Sequence, residues 1–185
     1  MPANLRPVSS RKEDLRCIKT AKALDIAMFS LLEKRNFRRI TVHNICAEAL
    51  ISRATFYAHY PDKYDFLKDW LTRICPQDLT FDEPYEYIEN IINTFMFKHK
   101  SIIKNIVRDA AEETLEVLQN IIFSFLKVRP KADNMDLDPR HVIFLNIYAG
   151  GIVQYILWQV KNNFPDHFLP MNRYLYEFIK NCREL

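Results

Sequence analysis

The sequence predicts an all-α chain, and three observations carry that reading. Apolar residues recur at three- and four-residue spacing through most of the length, as in Leu24, Ala27, Met28, Leu31 and Leu32, which marks one buried face of a helix. No stretch alternates apolar and polar residues convincingly enough to be a strand. Helix-starting and helix-stopping residues punctuate the periodic runs: Thr41, Ser52 and Asp62 ahead of them, Pro61 and Pro76 behind.

Taken in order, residues 1–9 hold two prolines and little periodicity. Ser10 with Glu13 matches a capping box, and a helix is expected from there to Arg35 with the five apolar residues above turned inward. Residues 36–39 form a loop that presents Arg38 and Arg39. Thr41 then caps a short helix whose Val42, Ile45, Cys46 and Ala49 make an apolar face. Leu50 and Ile51 fill a turn, Ser52 caps a helix from Arg53 to Tyr60, and Pro61 stops it because proline lacks the N–H that a continuing helix needs. Asp62 caps a helix from Lys63 to about Ile74 that buries Phe66, Leu67, Trp70 and Leu71.

Residues 75–84 read as a hinge between two domains, 1–75 and 76–185. The second is expected to be helical at 85–98, 101–108, 109–128, 141–162 and 167–182, with a charged, proline-containing loop over 129–138.

The helix over 53–60 has two unlike faces. Phe56 and Tyr60, four apart, can pack inward, which leaves Arg53, Thr55, Tyr57 and His59 largely outside that stripe. One cation, a hydroxyl, a phenol and an imidazole in an exposed row are a poor stability device. They are a good set of donors for phosphate oxygens and base edges. A helix-turn-helix places such a helix in the major groove of DNA with its N-terminal residues at the bases.

The run from Lys22 to Leu67 resembles the DNA-binding domain of TetR/AcrR-family transcriptional regulators. Leu24, Ala27, Leu31, Leu32 and Phe37 are followed by I-T-V-x-x-I-C and then by S-R-x-T-F-Y-x-H-Y-x-D-K-Y-D-x-L. The last run is similar to the wording of the Firmicutes-type branch. Two positions depart from the family pattern. The turn reads Ala49-Leu50 where Ala-Gly is usual, and Asn36 stands where a glycine commonly precedes the aromatic residue; asparagine tolerates the left-handed conformation better than most residues.

The resemblance implies DNA contacts from Arg39, Thr41, Ser52, Arg53, Ala54, Thr55, Tyr57, His59, Tyr60 and Lys63. Arg53 and Thr55 would face the bases, and Thr41, Tyr57, His59 and Lys63 the phosphate backbone. It also implies a homodimer and a ligand-controlled second domain. In the family, the region matching Gly150, Gly151 and Trp158 builds the dimer interface together with the last helix, so Gly151, Tyr155, Trp158, Tyr174 and Phe178 are the expected interface residues. Tyr85, Phe95, Phe123, Phe144 and Tyr148 are the expected lining of a small-molecule pocket, although aromatics dominate ordinary cores as well. Gly150 and Gly151 have the competing reading of small residues in a core.

Charge distribution fits a nucleic-acid partner for the first part. The chain carries a net +3, but residues 1–75 hold 14 Lys/Arg against 8 Asp/Glu, a balance of +6, and residues 76–185 hold 12 against 15, a balance of −3. Arg11, Lys12, Arg16, Lys19 and Lys22 crowd the start of the first helix, either as a basic arm on phosphates or as a solvated face.

Apolar content of 49% suffices for a core. No apolar run approaches the ~20 residues that span a bilayer, and the N-terminus lacks the apolar segment of a signal peptide, so the expected location is cytoplasmic with no membrane partner. The four cysteines show no C-x-x-C spacing and are expected to be reduced. His43 and Cys46, three apart, are too few for a tetrahedral metal site.

Enzyme chemistry finds no residue set. Two glycines in all exclude phosphate-cradling loops and the dinucleotide fingerprint, and there is no H-E-x-x-H and no G-x-S-x-G. Glu112, Glu113 and Glu116 read as a solvated helix face, and His99, His141 and His167 are isolated. No cofactor or metal is expected. The expected function is a DNA-binding transcriptional regulator, a ligand-responsive repressor on a palindromic operator. The alternative is a co-regulator on the same fold that does not bind DNA.

Overall fold

The computed structural model describes residues 8–74, 98–127 and 139–164 together with Tyr174, Glu177 and Asn181; residues 8–15, 127 and 141 are described by their backbone alone. Every regular element among the described residues is helical: α1 (Val8–Lys34), a 3-10 turn (Phe37–Arg39), α2 (Val42–Glu48), α3 (Arg53–Tyr57), α4 (Lys63–Ile74), α5 (Lys100–Val107), α6 (Glu112–Lys127) and α7 (Pro139–Lys161). The expected hinge, the helix over 85–98 apart from Lys98, and the loop over 129–138 lie outside the described residues. So does most of the last expected helix, although Tyr174, Glu177 and Asn181 are helical.

Helix α1 starts at Val8, so Ser10 sits inside the helix and not at its cap. Its inward stripe is the expected one: Leu24, Ala27, Met28, Leu31 and Leu32 are all buried. Arg16, Lys19 and Lys22 are exposed on the outer face. Asn36 is extended, with φ −63° and ψ 137°, so the expected left-handed residue before Phe37 is not needed. The ring of Phe37 is fully buried and pins the 3-10 turn.

Helix α2 is capped by a reciprocal box. The Thr41 hydroxyl accepts from the Asn44 backbone N–H at 3.2 Å, and the Asn44 side-chain oxygen accepts from the Thr41 N–H at 3.1 Å. Two of the donors orphaned at a helix start are satisfied together. The helix ends in a Schellman pattern, with Ile51 N–H donating to Cys46 O at 3.0 Å and Leu50 N–H to Ala47 O at 3.3 Å. Leu50 takes φ 54° there, so the turn keeps the left-handed geometry that glycine normally supplies and imposes it on a leucine.

Helix α3 is shorter than expected. It ends at Tyr57 and continues to Tyr60 as a turn, in which His59 N–H and Tyr60 N–H both donate to Phe56 O at 2.9 Å. Phe56 is its anchor. That fully buried ring packs edge-on against Phe66 of α4, with centroids 5.8 Å apart, and tilted against Tyr60 at 5.7 Å. Phe66, Leu67, Trp70 and Leu71 of α4 are buried as the spacing requires. Asp62 caps α4, its carboxylate accepting from Tyr64 N–H at 2.7 Å and Asp65 N–H at 3.0 Å.

The later helices close over this head. α1 packs on α5 and α4 packs on α6, while α6 and α7 form the most extensive helix pair. The Asn105 amide of α5 donates to Leu32 O at 2.7 Å, and the ring of Phe29 lies 4.9 Å from Trp70 and 5.7 Å from His99. α6 begins at Glu112 and not at residue 109, because Asp109 takes φ 55° and breaks the chain direction after α5.

α7 begins with Pro139 at its first position, where a missing N–H costs nothing. Leu145, Tyr148, Ala149, Ile152, Val153 and Ile156 form its buried face. Its segment Val142–Lys161 is long and apolar enough by length and composition to cross a bilayer, although no unbroken apolar run signals this in the sequence. In this fold its inner face is packed on α6. A Cβ at Gly150 would meet the Gln119 side chain at 3.8 Å, an ordinary contact. Gly150 thus faces α6 of the same chain without requiring close approach.

Candidate nucleic-acid interface

Two capped helices joined by a tight turn set the site. Ser52 caps α3: its hydroxyl accepts from Thr55 N–H at 3.0 Å and shares a 2.8 Å hydrogen bond with the Thr55 hydroxyl. With Phe56 fixed inward, the register of the helix is determined. Ser52, Arg53, Ala54, Tyr57 and His59 are exposed and Thr55 is half-buried, so these six fall on the outer side as the periodicity requires. Arg39 and Thr41 are exposed at the end of the 3-10 turn.

Arg53 and Tyr57 form a pair on that outer side. The guanidinium lies 5.7 Å from the phenol ring centroid, and one of its nitrogens approaches the Tyr57 hydroxyl at 3.5 Å. That contact, first, and the nearby phenol push the Arg53 pKa further up, so the residue is a permanent cation at the first turn of the exposed helix.

Two of the expected contact residues have partners within the chain. The Tyr60 hydroxyl donates to Asp69 at 2.5 Å and accepts from Arg73 at 3.3 Å. Arg73 also pairs with Asp69 and, at 2.5 Å, with Asp25 of α1. Tyr60 is therefore part of a network tying the end of α3 to α4 and α1. The Lys63 ammonium donates to the carbonyls of Phe37 at 3.1 Å, Arg38 at 3.2 Å and Ile40 at 2.9 Å. It also lies 4.7 Å from the Phe37 ring centroid and 5.3 Å from that of Tyr64. Burial pushes the Lys63 pKa down, against the opposing pull of Asp62 and Glu113.

Sequence reasoning missed the Tyr60–Asp69–Arg73–Asp25 network and the three carbonyls on Lys63. The first had a local signal in the Asp69/Arg73 pair at i, i+4; the second had none, since its partners lie 23 to 26 residues away. The sequence marks Thr41 as a cap but not the reciprocal role of Asn44, because asparagine replaces the usual Glu or Gln of the box. Cys46 is buried beside this site and burial raises its thiol pKa, which leaves it protonated and inert.

In the second part, Phe123 and Phe144 are half-buried and Tyr148 is fully buried, all packed into the α6–α7 core; Phe144 and Tyr148 stack with centroids 6.4 Å apart. Tyr85 and Phe95 lie outside the described residues. Of the expected interface residues, Trp158 and Tyr174 are exposed, Gly151 and Tyr155 are half-buried, and Phe178 lies outside the described residues. The Gln159 amide donates to the Tyr155 hydroxyl inside the helix pair.

A short, capped, externally polar helix set by a turn on a second capped helix is a helix-turn-helix, the architecture of DNA-reading proteins. Residues 27–69 match the family model described as bacterial regulatory proteins, tetR family. The uncharacterized HTH-type transcriptional regulator YxbF of Bacillus subtilis (strain 168) is 37% identical over 65 residues, a stretch that covers 35% of this chain and 17% of that protein. A TetR transcriptional regulator from Streptococcus agalactiae 2603V has a similar fold. Its TM-score is 0.55 at 18% identity, and the alignment covers 92% of this chain and 96% of the other. Residues 27–69 are thus similar to tetR-family regulatory proteins, and the fold is similar to that of a TetR regulator.

Proposed function

We propose that this chain is a cytoplasmic transcriptional regulator that binds a palindromic DNA operator as a homodimer and is released from it by a small-molecule effector. The observation that carries this reading is the outer face of α3. Arg53, Ala54, Tyr57 and His59 are exposed while Phe56 alone is buried, which gives a polar helix no use for stability and the right donors for a major groove. Arg53 and Thr55 read base edges; Arg39, Thr41, Ser52, Tyr57 and His59 hold the phosphate backbone.

The homodimer is supported by the outer face of α7. Ile143, Ile147 and Trp158 are 59%, 57% and 51% exposed and lie with Gly151 along one stripe of the helix. Two such stripes in an isologous pair bury one another. Two heads in one dimer match the two half-sites of a palindrome.

The effector is an apolar molecule that opens the α6–α7 core beside Phe123, Phe144 and Tyr148. Support comes from the aromatic side chains packed there, the residue type that lines apolar small-molecule pockets.

A gel shift with duplexes drawn from upstream of the chain's own gene tests the reading. A shifted band that disappears with Arg53→Ala, while the variant keeps its helical circular dichroism, is the expected result. Equal retention by the wild type and Arg53→Ala would remove α3 from the reading of DNA.

A further inference from the structure

Arg53 and Tyr57 stand one turn apart on the exposed side of α3, a spacing at which helical side chains meet. An arginine left to solvent samples many rotamers, and a base contact that must order it loses that freedom on binding. Here the guanidinium lies over the Tyr57 ring, 5.7 Å from the centroid, with one nitrogen 3.5 Å from the hydroxyl. We propose that Tyr57 is a positioning residue for Arg53: its ring holds the guanidinium along the outer face of α3 before DNA is bound, and so sharpens the choice of base there. This rests on the DNA-binding reading above and deepens it, and it leaves the Tyr57 hydroxyl its phosphate contact.

The ring is itself braced. Phe56 is fully buried and meets Tyr57 edge-on, with centroids 5.7 Å apart and planes at 88°. Tyr57 is 47% exposed, so part of its ring is covered and part faces outward. Phe56 fixes the ring and the ring fixes the guanidinium, which carries order from the core to the reading side chain in two steps. A cation is attracted to an aromatic face, and a guanidinium on such a face keeps its N–H groups at its rim.

Those N–H groups suffice for both contacts. Arginine has five donors, and one of its nitrogens is directed at the Tyr57 hydroxyl. A two-bond contact to O6 and N7 of a guanine takes two donors. The guanidinium can therefore meet a base without leaving the ring. The two ends of Tyr57 divide the work: the ring orders Arg53, and the hydroxyl remains able to meet a phosphate oxygen.

The test uses the full-length chain, the duplex that it enriches from a randomised pool, and versions of that duplex with one base pair changed. Arg53→Ala first identifies the base pair at which discrimination is lost. Tyr57→Phe, which keeps the ring, is expected to weaken binding to all duplexes alike and to preserve that discrimination. Tyr57→Leu, which removes the ring, is expected to lower it about two- to fivefold at that base pair and at no other. In the Arg53→Ala background the two Tyr57 variants are expected to discriminate equally, because the group that the ring holds is gone. Without DNA, NMR relaxation of the Arg53 Nε should report an ordered side chain in the wild type and in Tyr57→Phe, and a mobile one in Tyr57→Leu.

Equal discrimination by Tyr57→Phe and Tyr57→Leu overturns the proposal, as does an Arg53 Nε equally mobile in all three proteins. So does an Arg53→Ala variant that relaxes no base pair. A loss in Tyr57→Leu spread evenly over every base pair assigns the ring to the fold of α3 instead. If Tyr57→Leu does not fold, Tyr57→Met, which also lacks a ring, takes its place under the same outcomes. A wild type that enriches no duplex ends the DNA-binding reading and this proposal together, whereas equal discrimination on an enriched duplex ends the proposal alone.

Discussion

Leu50 stands where the turn of a helix-turn-helix needs a residue at positive φ, and at 54° it pays the steric cost that glycine avoids. It is also 92% exposed, so its side chain returns little by burial. Leu50→Gly is expected to stabilise the chain by about 1 kcal/mol, read as a higher urea midpoint with unchanged slope. A lower midpoint would mean that the leucine makes a contact absent from this chain alone.

Arg53→Ala is expected to relax preference at one base pair by ~1–3 kcal/mol, measured by competition between single-substituted duplexes. The residue scale also shows what a sequence makes legible. The caps at Thr41, Ser52 and Asp62 were readable because each acts on a backbone N–H two or three residues ahead. The positive φ at Leu50 is not readable from the residue type, which argues against it. The engagement of Lys63 was not readable, because nothing in D-K-Y-D announces carbonyls on a turn more than twenty residues earlier.

At the scale of elements, α3 has five residues and no stability of its own. Its place depends on Phe56 inside and on the Tyr60 network at its end. Tyr60→Phe keeps the ring against Phe66, 5.0 Å away, and removes only the hydroxyl from Asp69 and Arg73. A loss of about 1 kcal/mol in chemical denaturation is expected, with the salt slope of duplex binding unchanged. A reduced slope would restore Tyr60 to the phosphate contacts.

The junction of α1 and α5 carries a pH response. Burial, first, and then Lys98 hold the His99 pKa below its ordinary value, against Glu33. The folded state therefore binds fewer protons than the unfolded one in that window, so the stability His99 contributes is full above about 6.5 and is lost as pH falls through the lower folded value. An imidazolium at the cap position of α5 also opposes the helix dipole. The melting temperature of the wild type should fall further between pH 7.5 and pH 5 than that of His99→Gln; equal falls would assign the pH response elsewhere. The inward stripes of α1 and α4 were legible from periodicity alone. The start of α6 was not, because the break depends on the φ of Asp109, a residue whose type tolerates both conformations.

At the scale of the molecule, α7 presents one face to α6 and leaves Ile143, Ile147 and Trp158 to solvent. Ile147→Asp is expected to convert a micromolar dimer to monomer in sedimentation, and Gly151→Leu to weaken it. Gly150→Ala, on the face toward α6, should leave assembly unchanged and add about 1 kcal/mol of helix stability. A wild-type monomer at that concentration would remove the dimer from the proposal. The apolar excess of this helix was visible in sequence, whereas the division between its two faces required the packing of α6.

DNA reading by α3 is tested most directly by selection from a pool of randomised duplexes with the purified full-length chain, in parallel with folded Arg53→Ala. Reading by a dimer of these heads predicts convergence of the wild-type pool on an inverted repeat, and loss or relaxation of one base pair in each half-site with the variant. An unenriched pool with a folded, dimeric wild-type chain, or the same repeat selected equally well by both proteins, would contradict it.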